Sequence, residues 1–409
     1  MSEPYDLQTA VPYKIWGRDQ IDAETIQQME RAVRLPIALR GALMADAHVG
    51  YGLPIGGVLA TANAVIPYAV GVDIACRVRM TIFNASPRVI DEQRERLRQA
   101  IEDNTRFGEG ATWETPQHHE VMDDPAWRDL PFARERRDLA WRQLGTSGAG
   151  NHFVEFGALT VWQKIDRIPP GNYLALLSHS GSRRFGFEAA NHFTQIAKRL
   201  HEGRLPKDYL NLAWLELGRE GDEYWAIMEL AGRYASANHA VIHRRIADAL
   251  RFEVLGSVEN HHNFAWKETV DGMEAIVHRK GATPAGPGAL GVIPGSMSAP
   301  GYIVRGKGSI EAINSAAHGA GRQMSRGEAI RRFSWEEVDR KLDQERIDLI
   351  SAGLDEVPYA YKDIHRVMEA QADLVEPLAE FQPRIVKMAP DKSRRGGRAG
   401  KQGKKGRRR

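Results

Sequence analysis

Cysteine is almost absent: the 409 residues contain one, Cys76. No intrachain disulfide can form, and a reducing compartment is the expectation. Long apolar runs are missing as well. Residues 64–72 are interrupted by Pro67 and run into Asp73, well short of the roughly 18 residues that a membrane span needs. The opening segment MSEPYDLQTAVPYKIW lacks the basic-then-apolar order of a secretory signal. A cytoplasmic protein is expected. Three common motifs also fail. Gly148-Ala149-Gly150-Asn151-His152-Phe153 lacks the third glycine of a dinucleotide loop, and Gly145-Thr146-Ser147-Gly148-Ala149 lacks the last glycine of a nucleophile elbow. No GxxxxGK[ST] phosphate loop is present.

What is there points to a large core. Apolar residues make up 42%, with 9 Trp, 11 Tyr and 12 Phe. The net charge of +3 is unevenly spread. Residues 391–409 hold ten basic residues against one acid, +9, which leaves −6 for residues 1–390. One mixed α+β body over 1–390, with β-sheets flanked by helices, and a disordered basic tail over 391–409 are expected. A tail of that composition suits sequence-independent, salt-sensitive contacts with RNA phosphates. Asp22 is placed to cap a helix reaching about Leu35, and further helices are expected over 91–104, 182–203, 223–254 and 362–381. Short apolar or alternating runs predict strands at 78–83, 173–177, 274–278 and 302–305. Trp113, Trp127, Trp141, Trp162 and Trp266 serve either as stacking platforms or, for most, as core.

The 39 glycines cluster at 50–57, 145–150, 181–186, 286–308 and 319–321, in each case beside a histidine or a hydroxyl residue. Glycine lets a backbone approach a ligand closely. The ligand-type side chains fall in the same places. Asp73 and Cys76 stand three residues apart, and histidines lie in Asn151-His152, Ser178-His179-Ser180 and His261-His262-Asn263. One thiolate, three imidazoles and one carboxylate exceed a four-coordinate structural zinc site. A thiolate bridging two ions would use them all, and mixed N, O and S donors suit manganese, iron or zinc. An inert buried thiol among packed histidines is the plainer alternative. His318, in Ala317-His318-Gly319-Ala320-Gly321-Arg322, is placed as a nucleophile or general base.

Taken in order, these segments resemble the RtcB-type RNA-splicing ligases. The resemblance is carried by MADAHVGYG (44–52), GVDIAC (71–76), LGTSGAGNHFVE (144–155), HSGSR (179–183), HHN (261–263), IPGSM (293–297), HGAGRQMSR (318–326), AYKDI (360–364) and Val386-Lys387. It implies an RtcB-like fold and two manganese ions bridged by Cys76. Asp73 and His262 would complete one ion's set, and His152 and His179 the other's. It implies GTP as the nucleotide and His318 as the catalytic residue that becomes guanylylated. The implied guanylate-binding set is Asn151, His152, Phe153, Val154, Glu155, His262, Asn263, Pro294, Gly295, Ser296, Met297, Gly301, His318, Gly319, Ala320, Gly321 and Lys387, with Tyr361 packed nearby.

The activity implied is the joining of RNA 3′-phosphate or 2′,3′-cyclic phosphate ends to 5′-hydroxyl ends, as in RNA repair or tRNA splicing. The chain departs from the family pattern at Arg77, Arg184, Gly301, Ala317 and Met388. Of these, Arg77 is expected to bear on metal affinity or substrate choice, and Gly301 to remove a nucleotide contact. Two other readings use the same residues. A dinuclear phosphoesterase would act on cyclic ends without GTP, and an RNA-binding protein without catalysis would rely on the tail.

Overall fold

Runs rich in Val, Leu, Ile and Phe build an eight-stranded sheet in the computed structural model, which describes residues 4–391. The tail expected over 391–409 therefore lies outside the described residues, Asp391 excepted. The strand order is Leu290–Ile293, Gly301–Gly306, Val375–Met388, Phe153–Val161, Gly171–Ser180, Arg77–Phe83 and Val254–His261. Asp348–Ser351 pairs in parallel with the end of Val375–Met388. A second, five-stranded sheet runs Tyr13–Ile15, Ala38–His48, Ile55–Thr61, Met273–Lys280 and Asn263–Val270. The mixed α+β body expected from the sequence is what forms.

Register is what matters for function. Phe153 pairs with His179, and Arg77 pairs with both Ser180 and His261. Cys76, His152 and His179 therefore meet at one end of the larger sheet, because a fixed antiparallel register puts facing residues at one level. His262 is the single residue between a strand of the larger sheet, Val254–His261, and one of the smaller, Asn263–Val270.

The helices follow their periodicity. Asp22 Oδ1 accepts from Thr25 N at 2.8 Å and starts Ala23–Ala32. Arg183–His201 buries Phe185, Ala189, Phe193 and Ala197 on one face. Glu220–Leu250 packs on Gly171–Ser180 and Arg77–Phe83, and ends at Arg251, which adopts φ 55°. The stretch expected as one helix over 91–104 breaks at Gln93 into Val89–Glu92 and Arg94–Asn104. The expected helix over 362–381 is corrected more sharply. Only Ile364–Ala370 is helical, and Val375–Met388 is a strand that pairs on both sides. From residue 380 onward Phe381, Pro383 and Ile385 are buried while Glu380, Gln382 and Arg384 are less so, a period of two. Trp113 and Trp127 are core, Trp141 and Trp266 pack against it, and Trp162 is exposed. No helix among the described residues is long and apolar enough to cross a membrane.

Arg77 is turned away from the ligand-type residues. Its guanidinium pairs with Glu259, and its Nη2 donates to Gly232 O at 3.0 Å, while Arg79 Nη1 meets the other oxygen of Glu259 at 3.0 Å. The departure at this position thus supplies a buried ion pair that ties sheet to helix, and a direct role in the cleft is not what its geometry offers. Removing one partner of a buried pair leaves the other charge uncompensated. Glu259→Gln should lower unfolding stability by about 3 kcal/mol, read as a shifted urea midpoint with an unchanged slope.

Candidate active site

The junction of the two sheets opens into a cavity of about 1640 Å³. Its floor is crowded with lone-pair donors. Cys76 Sγ lies 3.1 Å from His179 Nε2 and 3.5 Å from His152 Nε2. His152 Nε2 lies 3.0 Å from Asp73 Oδ2, and His179 Nε2 lies 3.1 Å from His262 Nε2. Cys76, His152 and His179 are all buried, with ligand atoms within 4.8 Å of one another, a grouping that could hold a metal ion. Asp73 lies nearest His152 and His179 nearest His262, and the Cys76 sulfur is within reach of both His152 and His179. His261 faces elsewhere, against Phe264 and Trp266.

Backbone close approach makes this crowding possible. A Cβ on Gly181 would sit 2.2 Å from Asp73 Oδ2. One on Gly321, whose φ is +72°, would sit 2.0 Å from the carbonyl oxygen of Asp46. Gly321 requires glycine, and a side chain at Gly181 would push the Asp73 carboxylate aside.

Electrostatics keep the imidazoles of the cluster in donor form. Burial, helped by neighbouring imidazoles, holds His179 and His262 well below the usual imidazole range, so both rings are neutral. His179 Nδ1 is 2.9 Å from Asn151 O. A carbonyl can only accept, so Nδ1 carries the hydrogen and the Nε2 lone pair points into the cluster. Burial pushes the Cys76 thiol well above its ordinary value, and Asp73 adds to that. Burial opposes ionisation of Asp73, yet the His152 imidazole and Arg183 hold its carboxyl below the usual range. Asp73 Oδ2, His152 Nδ1 and His262 Nδ1 are buried without a hydrogen-bond partner among the described residues. Unpartnered buried donors and acceptors are costly unless a ligand satisfies them.

His318 stands beside this cluster, its ring centroid 4.7 Å from that of His262. It follows the short strand Ser315–Ala317, which pairs with Ala282–Pro284. Its Nδ1 lies 2.7 Å from Asp46 Oδ2, which also accepts from His318 N at 3.1 Å and Gly319 N at 3.3 Å. The carboxylate accepts the Nδ1 hydrogen, which leaves Nε2 as the ring nitrogen not engaged by Asp46.

Most residues named from the sequence line this cavity: Asn151, His152, Phe153, Glu155, His262, Asn263, Pro294, Gly295, Ser296, Met297, His318, Gly319, Ala320 and Gly321, with Asp73, Cys76, His179 and Tyr361. Three do not. Val154 packs into the core, and Gly301 lies in a strand with Pro294 Cα 3.2 Å from where its Cβ would be. Lys387 alternates with the lining residues Val386 and Met388, and its Nζ bonds Thr105 Oγ1 at 3.1 Å. Burial pushes the Lys387 ammonium down to about 8. Burial also pushes Glu155 well above the carboxylate range. The Asn263 side chain braces the site itself, accepting from Gly281 N at 2.8 Å and donating to Asp73 O at 3.2 Å.

Two lining or adjoining residues carried no assigned role in the sequence. Asp46 lay inside the 44–52 motif, but its pairing with His318 spans 272 positions. Lys280 closes the strand Met273–Lys280, and its Nζ donates to Tyr51 O at 2.5 Å and Leu53 O at 2.9 Å. Burial pulls the Lys280 ammonium down to about 7.

Fold and site together define a class: α+β proteins in which a metal-capable thiol–imidazole–carboxylate cluster adjoins a carboxylate-anchored histidine at a sheet junction. The family model described as "tRNA-splicing ligase RtcB" matches residues 28–388. The chain belongs to the RtcB family. It is 33% identical to the RNA-splicing ligase RtcB of Escherichia coli (strain K12), over 91% of this chain and 96% of that protein. It is 30% identical to the tRNA-splicing ligase RtcB of Nanoarchaeum equitans, over 94% and 96%. The RNA-splicing ligase RtcB of Mycobacterium tuberculosis is 30% identical over 87% and 98%.

Gly181→Ala should displace the Asp73 carboxylate while leaving the fold intact. Calorimetric titration with Mn²⁺ should then show affinity weaker by about 10- to 100-fold. Lys280 yields a pH dependence. Its folded value of about 7 lies below the ordinary 10.5, so between those limits the unfolded chain binds the extra proton and stability rises with pH. Relative to Lys280→Met, wild-type stability should climb from pH 7 to 10 and stay level below 7, measured by urea unfolding across pH.

Proposed function

We propose that this protein is an RNA ligase that uses GTP and manganese to join RNA 3′-phosphate or 2′,3′-cyclic phosphate ends to 5′-hydroxyl ends. The observation that carries the reading is the His318 imidazole, held by Asp46 through Nδ1 and set against a buried donor cluster in a large cleft. The names of the relatives, all RNA- or tRNA-splicing ligases, support it.

The residues fit two metal ions. Asp73, Cys76 and His152 would hold one, and Cys76, His179 and His262 the other, through sulfur, Nε2 and carboxylate atoms already gathered with neighbours 3.0 to 3.5 Å apart. Bound there, manganese would neutralise phosphate charge and orient the reacting phosphorus.

His318 Nε2 attacks the α-phosphorus of GTP. A P–N bond forms, the bond from that phosphorus to the β-phosphate oxygen breaks, and pyrophosphate leaves. Asp46 keeps the Nδ1 hydrogen and balances the charge that develops on the ring. An oxygen of the RNA 3′-phosphate then takes the guanylate, the P–N bond breaks, and Nε2 regains its lone pair. A 5′-hydroxyl oxygen attacks the activated 3′-phosphorus, loses its proton, and GMP departs. A cyclic end first adds water across one P–O bond. Activation is needed because GMP leaves far more readily than oxide. Residues 319–321 follow the nucleophile directly, and Asn151, Glu155, Asn263, Pro294, Gly295, Ser296 and Met297 line the space in which the guanylate would lie.

Incubation with α-labelled GTP and Mn²⁺ should leave covalent label on the wild-type chain. His318→Ala should carry none, and Asp46→Asn should label about 10- to 100-fold more slowly. An unlabelled wild type would sink the reading.

A further inference from the structure

Tyr51 is held out into solvent by a loop that does not need its ring. Gln28 clamps Gly50 from both sides, its Nε2 donating to Gly50 O at 2.7 Å and its Oε1 accepting from Gly50 N at 3.0 Å. Lys280 Nζ grips the carbonyls of Tyr51 and Leu53 at 2.5 and 2.9 Å. Every one of these contacts is made to backbone, and the side chain is left 66% exposed. Its ring meets Tyr68 at 6.1 Å, tilted by 38°. Tyr68 is itself fixed, its hydroxyl donating to Asn191 Oδ1 at 3.2 Å, with Lys198 Nζ 5.2 Å from its ring centroid. Phe187, on the helix Arg183–His201, is 52% exposed. Tyr51 and Phe187 line the same cavity as Cys76 and His318.

Large exposed aromatic faces cost hydrophobic free energy, and a rigid loop that presents one at the mouth of a cleft preorganises a contact surface. The position names the occupant. Lys280 holds the Tyr51 carbonyl, and the next residue, Gly281, stands so close to the nucleophile that a Cβ there would lie 3.2 Å from His318 Cε1. Tyr51 and the nucleophile are thus both tied to the Lys280–Gly281 segment, in the wall of one cavity that an RNA end must enter to reach His318. We propose that Tyr51, with Phe187, is a stacking shelf for the terminal base of an RNA end entering the cleft. This deepens the ligase reading and rests on it. Stacking on an aromatic face tolerates any base, because every base has a π-face, which suits an enzyme that handles ends of varied sequence.

The test measures binding of the full chain to fluorescent oligoribonucleotides by anisotropy. One set ends in a 3′-phosphate and the other in a 5′-hydroxyl, each with its terminal base present or replaced by an abasic unit. Removing the base from the end that uses the shelf should weaken wild-type binding about tenfold. Tyr51→Ala should bind the intact oligomer about tenfold more weakly and lose nothing further on the abasic one. Tyr51→Phe should keep wild-type affinity. The set that responds identifies which end lies on the shelf. Base removal without effect at either end would overturn the shelf, as would an equal loss by Tyr51→Ala on intact and abasic oligomers. Should Tyr51→Ala fail to fold, the wild-type comparison and Phe187→Ala still decide it. The α-labelled GTP assay is independent of this comparison, so an unlabelled wild type that discriminates abasic ends removes the ligase reading and leaves the shelf.

Discussion

Donor atoms that would repel or desolvate one another are packed to within hydrogen-bond distance in the floor of the cleft, and much of the architecture follows from that packing. Sulfur, imidazole nitrogens and a carboxylate oxygen gather around Cys76 at neighbour separations of 3.0 to 3.5 Å. Such a cluster cannot be held by loops alone, because each group gains by turning toward solvent. Here Cys76, His152 and His179 are immediately beside or within strands whose antiparallel register is fixed by many ladder bonds. Slipping the register by one residue would turn His179 to the opposite face. The sheet is therefore what makes an unfavourable arrangement stable.

The nucleophilic side of the cleft belongs to other elements. Asp46 comes from the smaller sheet, and His318 follows the small ladder of Ala282–Pro284 with Ser315–Ala317. Two features bind this side to the donor cluster. His262 belongs to the cluster and is also the single-residue link between the sheets, and Asn263 beside it bonds both Gly281 N and Asp73 O. A displacement of one sheet against the other would thus disturb the cluster and the His318 neighbourhood together. The Asp46 contact further divides the two nitrogens of His318, one committed to a carboxylate and one facing the cavity.

Local patterns were legible in the sequence wherever one interaction decided them. The Asp22 cap and the buried stripe of Arg183–His201 follow from residue type and short spacing, whereas the ligand-type residues that meet at Cys76 lie far apart in the chain and were indicated by the family resemblance. The strand Val375–Met388 was misread because apolar residues spaced for a helix over 362–374 run into an alternating stretch, and only pairing with Phe153–Val161 and Gly301–Gly306 selects the extended form. Arg77 is expected from its place beside Cys76 to act on the metal site, and Lys280 carries no expectation; the contacts of both are decided elsewhere. Each is decided by a partner more than 150 positions away, Glu259 for one and the carbonyls of Tyr51 and Leu53 for the other. Asp46 belongs to the same class: its motif was visible, but its contact with His318 depends on two elements meeting across the sheet boundary.

Charge sets the last constraint on the cleft. The body carries −6 without the basic segment, and the cavity lining includes Asp73, Glu155 and Glu356, all with little exposure to water except Asp73. The cationic side chains that share the lining are held by neighbouring groups, two of the arginines by carboxylates. Arg322 pairs with Glu356, Arg326 with Asp355 and Glu356, Arg183 donates to Gly108 O and Thr146 Oγ1, and Lys362 donates to Ala47 O. A polyphosphate entering this space meets the Arg322 and Arg326 charges already offset by Glu356 and Asp355. Under the proposed reading, the missing charge has to come from ions held by the thiol–imidazole–carboxylate cluster, with the ten basic residues of 391–409 as a sequence-independent supplement. Under that reading, nucleotide entry is coupled to occupation of the metal cluster.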